Sequence, residues 1–173
     1  MRSGSPAEGD GSKMVVLDWQ QCVALAEAHP DRYQALIYLA LDAGMRWSEL
    51  IGLRRGHVEQ ERRKVRVTEQ LVELADRSRV RRQPKTSAGV RSITISATTA
   101  SILGRHLEAY TAPDADALVF TNGAGGAISH SSFQTHHLKP AMENAGVRCA
   151  STICATRALR SRSRPAPTRR RSR

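Results

Sequence analysis

A chain of 173 residues, 40% hydrophobic and 4% aromatic, can bury one ordinary core, so one domain is expected. It holds no apolar run long enough to span a membrane and opens with no charged-then-apolar leader, which argues against a membrane partner and export and for a cytoplasmic protein. The net charge of +11 invites nucleic acid as a partner, yet residues 148–173 hold nine arginines and no acidic residue, leaving the body with 18 basic against 16 acidic side chains. Cys22, Cys149 and Cys154 are too few and too irregular for a disulfide framework, and the last two lack companion zinc ligands.

Residues 1–13 are Gly, Ser and charge and read as a disordered lead-in to a body over 14–147. Asp18 can cap a helix over 19–28, with Gln21 completing a capping box, and His29-Pro30 ends it. Asp31 restarts a helix whose Leu36, Leu39, Ala40 and Ala43 share one buried face; Gly44 closes it. Ser48, Glu49, Leu50 and Leu53 fit a second short helix stopping around 54–56, so Arg46 sits at a helix junction. Val65, Val67 and Leu71 alternate with polar residues as in a half-buried strand. The runs 80–83 and 92–96 flank a Gly-containing loop and are expected to pair as a hairpin with Lys85 at its tip.

Thr98 or Thr99 can cap a helix through Tyr110 carrying Ile102, Leu103, His106 and Leu107 at helical spacing. An apolar segment over 117–122 runs into a Gly-rich turn, and a further helix is expected over 131–145. Residues 148–173 have no apolar periodicity and read as a disordered tail. Gly123, Gly125 and Gly126 are not arranged as a dinucleotide fingerprint, so no cofactor is expected. His136 and His137 are adjacent and face different ways on a helix, and His106 reads as a helix-face residue; no metal site is expected.

Two features bear on chemistry. Arg46 can aim a planar, permanently charged fork at a phosphate, or it can pair with Glu49 on the surface. Residues 54–91 hold 12 basic and 5 acidic side chains, which form either a solvated face or one that tracks phosphates.

The run ALDAGMRWSELIGLRRGHVE resembles the start of the catalytic domain of tyrosine recombinases, the phage integrase family. Their first active-site arginine lies in a Thr/Ala-Gly-x-Arg-x-x-Glu-Leu-x-x-Leu box. The resemblance makes Arg46 that arginine and Glu49 its helix-stabilising companion. QPKTSAGVRSITI resembles the recombinase hairpin that delivers a lysine into the minor groove beside the scissile phosphate, which makes Lys85 that lysine, with Arg81, Arg82 and Arg91 as further DNA contacts. An ammonium can protonate the leaving 5′ oxygen, which a guanidinium holds its proton too tightly to do. Leu118-Val119-Phe120 with the following glycines resembles the family's next segment. The resemblance implies an α+β fold, mostly helical with a small three-stranded antiparallel sheet. It also implies a role in DNA integration and recombination on double-stranded DNA without a cofactor.

Departures from the family pattern shape the expected activity. Only a short lead precedes the catalytic domain where the family has a core-binding domain. After AGVR the family continues with His-Asp-Leu-Arg-His-Thr and, later, the nucleophilic tyrosine; here no histidine follows His137 and no tyrosine follows Tyr110. The expectation is a prophage integrase fragment that binds DNA without cleaving it and, lacking the complete C-terminus, does not assemble on it. A DNA-binding accessory protein and a non-functional remnant are the alternatives. The codons of Cys149 to Arg157, read two bases further on, permit Arg-Phe-His-Asp-Leu-Arg-His-Thr, the missing box in order. A frameshift after Arg148 is therefore expected.

Overall fold

The computed structural model describes residues 17–74, 76, 78–83 and 89–147. The expected lead-in, Lys85 and the Arg-rich tail lie outside the described residues.

The first helix, α1 (Trp19–Glu27), begins with the expected capping box: the Asp18 carboxylate accepts the Gln21 N–H at 2.8 Å and the Gln21 side chain accepts the Asp18 N–H at 3.0 Å. Helix α2 (Asp31–Ala43) ends at Gly44, whose φ of 69° is left-handed and whose N–H bonds the Ala40 carbonyl. More of α2 is buried than one face: Tyr33, Ile37, Tyr38 and Leu41 join the predicted residues, because other helices cover it from more than one side. It is the central helix of the molecule. Helix α3 (Trp47–Ile51) stops earlier than expected, and a 3₁₀ turn over Arg55–His57 carries the chain on.

Among the described residues five strands follow the turn: β1 (Val58–Glu59), β2 (Lys64–Val67), β3 (Gln70–Glu73), β4 (Arg79–Arg82) and β5 (Arg91–Thr94). The antiparallel three-stranded sheet has the order β1-β2-β5, with Val65 opposite Ile93 and Val67 opposite Arg91. Leu71 belongs to a separate two-stranded ribbon, β3-β4, in register with Arg81. The expected hairpin between 80–83 and 92–96 does not form: each of those runs pairs with an earlier strand instead. The turn that closes the ribbon lies at 74–78, where the Leu74 N–H bonds the Ser78 carbonyl at 2.8 Å, and not around residue 85. Lys85 belongs to the connection from β4 to β5.

Helix α4 (Ala97–Tyr110) packs on α2. Its cap is Ser96 and not Thr98 or Thr99: the Ser96 hydroxyl accepts the Thr99 N–H at 3.2 Å, while the Ser96 N–H is taken at 2.7 Å by Asp42 of α2. The tertiary bond selects one hydroxyl among three. Segment 117–122 runs beside Arg54 through a bridge to Leu118, and its Val119 carbonyl accepts the His106 Nε2–H at 2.9 Å. The closing helix begins at His130, one residue early, as α5 (His130–Phe133), passes through a widened π turn over Gln134–Leu138, and finishes as α6 (Lys139–Asn144). Leu36, Leu39, Leu50, Ile51, Phe120 and Phe133 centre the core, and burying each such side chain contributes about 1.5–3 kcal/mol. Phe133 is ringed by Tyr33, Trp47 and His29 with centroids at 5.4, 5.1 and 5.8 Å, which fastens the last helix to α2 and α3.

Candidate nucleic-acid interface

Because Gly44 turns the chain sharply, Met45 enters the core and Arg46 stands in extended conformation just before α3. Glu49, one turn on, reaches back to it: the Arg46 N–H donates to Glu49 Oε2 at 2.9 Å, and one guanidinium nitrogen donates to Oε1 at 3.3 Å. The Arg46 side chain remains 77% exposed, whereas that of Glu49 is 7% exposed. The pairing of Arg46 with Glu49 is therefore present, and it is partial. Arg46 touches Glu49 through one nitrogen and turns the rest of the fork to solvent.

Arg91, at the start of β5, closes on the same carboxylate from the other side, with bonds of 2.9 and 2.8 Å to its two oxygens. Burial by itself would push the Glu49 carboxyl up. The Arg91 hydrogen bonds, the Arg46 N–H and the two guanidinium charges outweigh it and hold Glu49 below the usual carboxylate range. An ionised, fully bonded carboxylate therefore sits beneath the helix junction.

Arg81 and Arg82 lie on β4, which is exposed along its whole length, and as neighbours on a strand they point to opposite faces. The ribbon that carries them rests on α3. Ser48 donates to Gln70 at 3.2 Å, and a side chain at Gly52 would come within 2.9 Å of the Leu71 nitrogen, so the helix can meet β3 only through a glycine there. Farther along β3, Glu73 accepts from Ser129 at 3.4 Å. The structure thus gathers Arg46, Glu49 and Arg91 into one cluster and seats Arg81 and Arg82 on a ribbon packed against the same helix. Lys85, the sixth expected site residue, falls outside the described residues.

Arg54 and Arg55 fall within the basic stretch 54–91 but both point inward. Arg54 is buried, paired with Glu69 and bonded to the Asp116 carbonyl and, at 3.2 Å, its carboxylate. Arg55 donates to the Leu107 carbonyl at 2.8 Å. Arg66 pairs with Glu59 at 2.8 Å. No local pattern marks the partners of Arg54 and Arg55, which lie 15, 62 and 52 residues away. Among the described residues no cluster of metal-ligating side chains occurs, and no helix is long and apolar enough to cross a membrane.

The profile of the phage integrase family matches residues 16–161, an interval that includes the first part of the segment the sequence reading placed outside the domain. A putative prophage phiRv2 integrase of Mycobacterium tuberculosis, strain CDC 1551 / Oshkosh, is 32% identical over 96 residues, which is 56% of this chain and 25% of that protein. The same figures hold for its counterpart in strain H37Rv. The Tn1549 transposon integrase, solved as residues 82–397 in complex with circular intermediate DNA, superposes with a TM-score of 0.72 at 20% identity over 84% of this chain and 52% of that one. XerA recombinase superposes with a TM-score of 0.59 at 16% identity, over 80% and 46%. The chain therefore spans about a quarter of the curated relatives and about half of these structures.

Proposed function

The chain belongs to the phage integrase family, and from that membership we propose that it is a recombinase-type domain that grips duplex DNA by its phosphates and does not cut it. The observation that carries this reading is Arg46: an exposed guanidinium at a helix junction, with its backbone fixed by a buried carboxylate. A fork anchored at its backbone and open to solvent can meet the non-bridging oxygens of a phosphate. Arg81 and Arg82 track the backbone on either face of the ribbon, and Lys85 reaches the groove as the family's lysine does. The DNA in the Tn1549 complex supports this choice of partner.

Electrostatics without a nucleophile bind and do not cleave. The last tyrosine written in the sequence, Tyr110, sits in the final turn of α4 with the Arg32 guanidinium 4.9 Å from its ring centroid, on a helix remote in sequence from the family's nucleophile position. The expected outcome is salt-sensitive binding to mixed-sequence duplex DNA and no covalent adduct with nicked suicide substrates. Each phosphate neutralised contributes about 0.9 to the slope of log affinity against log salt. Arg46→Ala should lower that slope, and removing residues 148–173 should lower it further. An unchanged slope in both variants, or a DNA-linked species on a denaturing gel that Tyr110→Phe abolishes, would count against the proposal.

The frameshift belongs to the same proposal. It rests on the written residues after Arg148, whose alternative reading spells the family's His-Asp-Leu-Arg-His-Thr. Sequencing the encoding DNA is expected to show that box, followed by a tyrosine codon, in the alternative frame; its absence there removes the frameshift account.

A further inference from the structure

Arg91 was expected among the DNA contacts, but its fork is already engaged: both Glu49 oxygens receive it, at 2.9 and 2.8 Å, and its side chain is 34% exposed against 77% for Arg46. We infer that Arg91 is a positioning residue which, by occupying Glu49, keeps Arg46 from folding back onto that carboxylate and leaves the Arg46 fork open to a phosphate. This rests on the reading of Arg46 as a phosphate ligand.

The argument is one of competition for a single acceptor. A buried carboxylate requires cationic partners, and the bidentate guanidinium pair is the geometry that satisfies both oxygens together. Arg46 lies three residues before Glu49 and already touches it through one nitrogen at 3.3 Å, so it is close enough to take the place of Arg91. It does not do so while Arg91 holds the bidentate position. The same pair fixes the start of β5, where the chain returns from the segment containing Lys85, against the helix junction. Arg46 and the strand that follows Lys85 therefore share one anchor.

The experiment is a variant series in the full chain, read as affinity and salt slope for a short fluorescent duplex of mixed sequence, with folding followed by circular dichroism. Arg46→Ala should weaken wild-type binding by about tenfold. In an Arg91→Met background it should cost less than about twofold, because Arg46 is already withdrawn. Arg91→Lys, which neutralises Glu49 from a single point, should restore most of the dependence on Arg46. A cost of Arg46→Ala that is equal in the wild-type and Arg91→Met backgrounds overturns the inference.

Arg46→Ala in the Arg91→Met background strands a buried carboxylate and can fail to fold, so the pair Glu49→Gln with Arg91→Met supplies a second reading. With neither charge present Arg46 is free, and the wild-type salt slope should be kept. A slope smaller by about 0.9 would show that Arg91 itself meets a phosphate and would overturn the inference. If Arg46→Ala changes nothing in the wild-type background, the phosphate reading of Arg46 fails first, which is a different result from either of these.

Discussion

Arg54 carries a full charge into the interior, where its side chain is only 7% exposed and meets Glu69 and the Asp116 backbone and carboxylate. A buried pair of this kind contributes little beyond what it costs to desolvate, but removing one partner leaves the other charge uncompensated. Arg54→Met should therefore destabilise the fold by about 3–5 kcal/mol, and adding Glu69→Leu should recover part of the loss. Urea denaturation of the three proteins checks this, and equal stability of wild type and Arg54→Met would show the pair to be inert. At this scale the sequence is readable where partners are one helical turn apart. Arg46 and Glu49 lie within one box, so their contact could be anticipated. Arg54 was not readable, since Glu69 is 15 and Asp116 is 62 residues away, and neither was Arg91, whose partner lies 42 residues before it.

Helices were more legible than strand pairings. Their signals are local: Asp18 with Gln21 marks a start and Gly44 a stop, and each acts through neighbours in the chain. A strand's signal says which residues alternate but not with whom they bond. β4 reads Arg-Val-Arg-Arg and is exposed throughout, so no buried face fixes its register from the sequence, and it bonds the preceding run where alternation points to the following one. β2, with Val65 and Val67 buried between exposed Lys64 and Arg66, was identified because one of its faces meets the core. The π turn in the closing helix left no mark that periodicity detects, since one wide turn shifts the phase only after the residues that define it.

The whole molecule carries histidines in its interior, and their protonation is linked to folding. Burial pushes His29 and His106 below their ordinary value, and in each a single hydrogen bond to a carbonyl, from Leu25 or Val119, only partly offsets it; His137 lowers His29 further. One ring nitrogen of each is buried without a partner among the described residues. The unfolded chain takes up protons below about pH 6.5 that the folded chain refuses, so stability is full above that pH and declines as the pH falls below it. Thermal unfolding at about pH 7.5 and about pH 5 should show a lower Tm in acid, and His29→Gln with His106→Gln should narrow the gap. A gap unchanged in the double variant assigns the acid sensitivity elsewhere. The strand arrangement has a consequence of another kind. Two residues join β2 to β3 on the outward path, while eight separate β4 from β5 on the return. The ribbon is therefore a length adjustable on a fixed base: residues added in pairs at 74–78 extend it by about 3.4 Å for each residue per strand, without moving Arg91 from its anchor. Reach and chemistry can vary separately in such a design, so divergence in ribbon length is expected to be freer than any change in the eight residues that lead into β5.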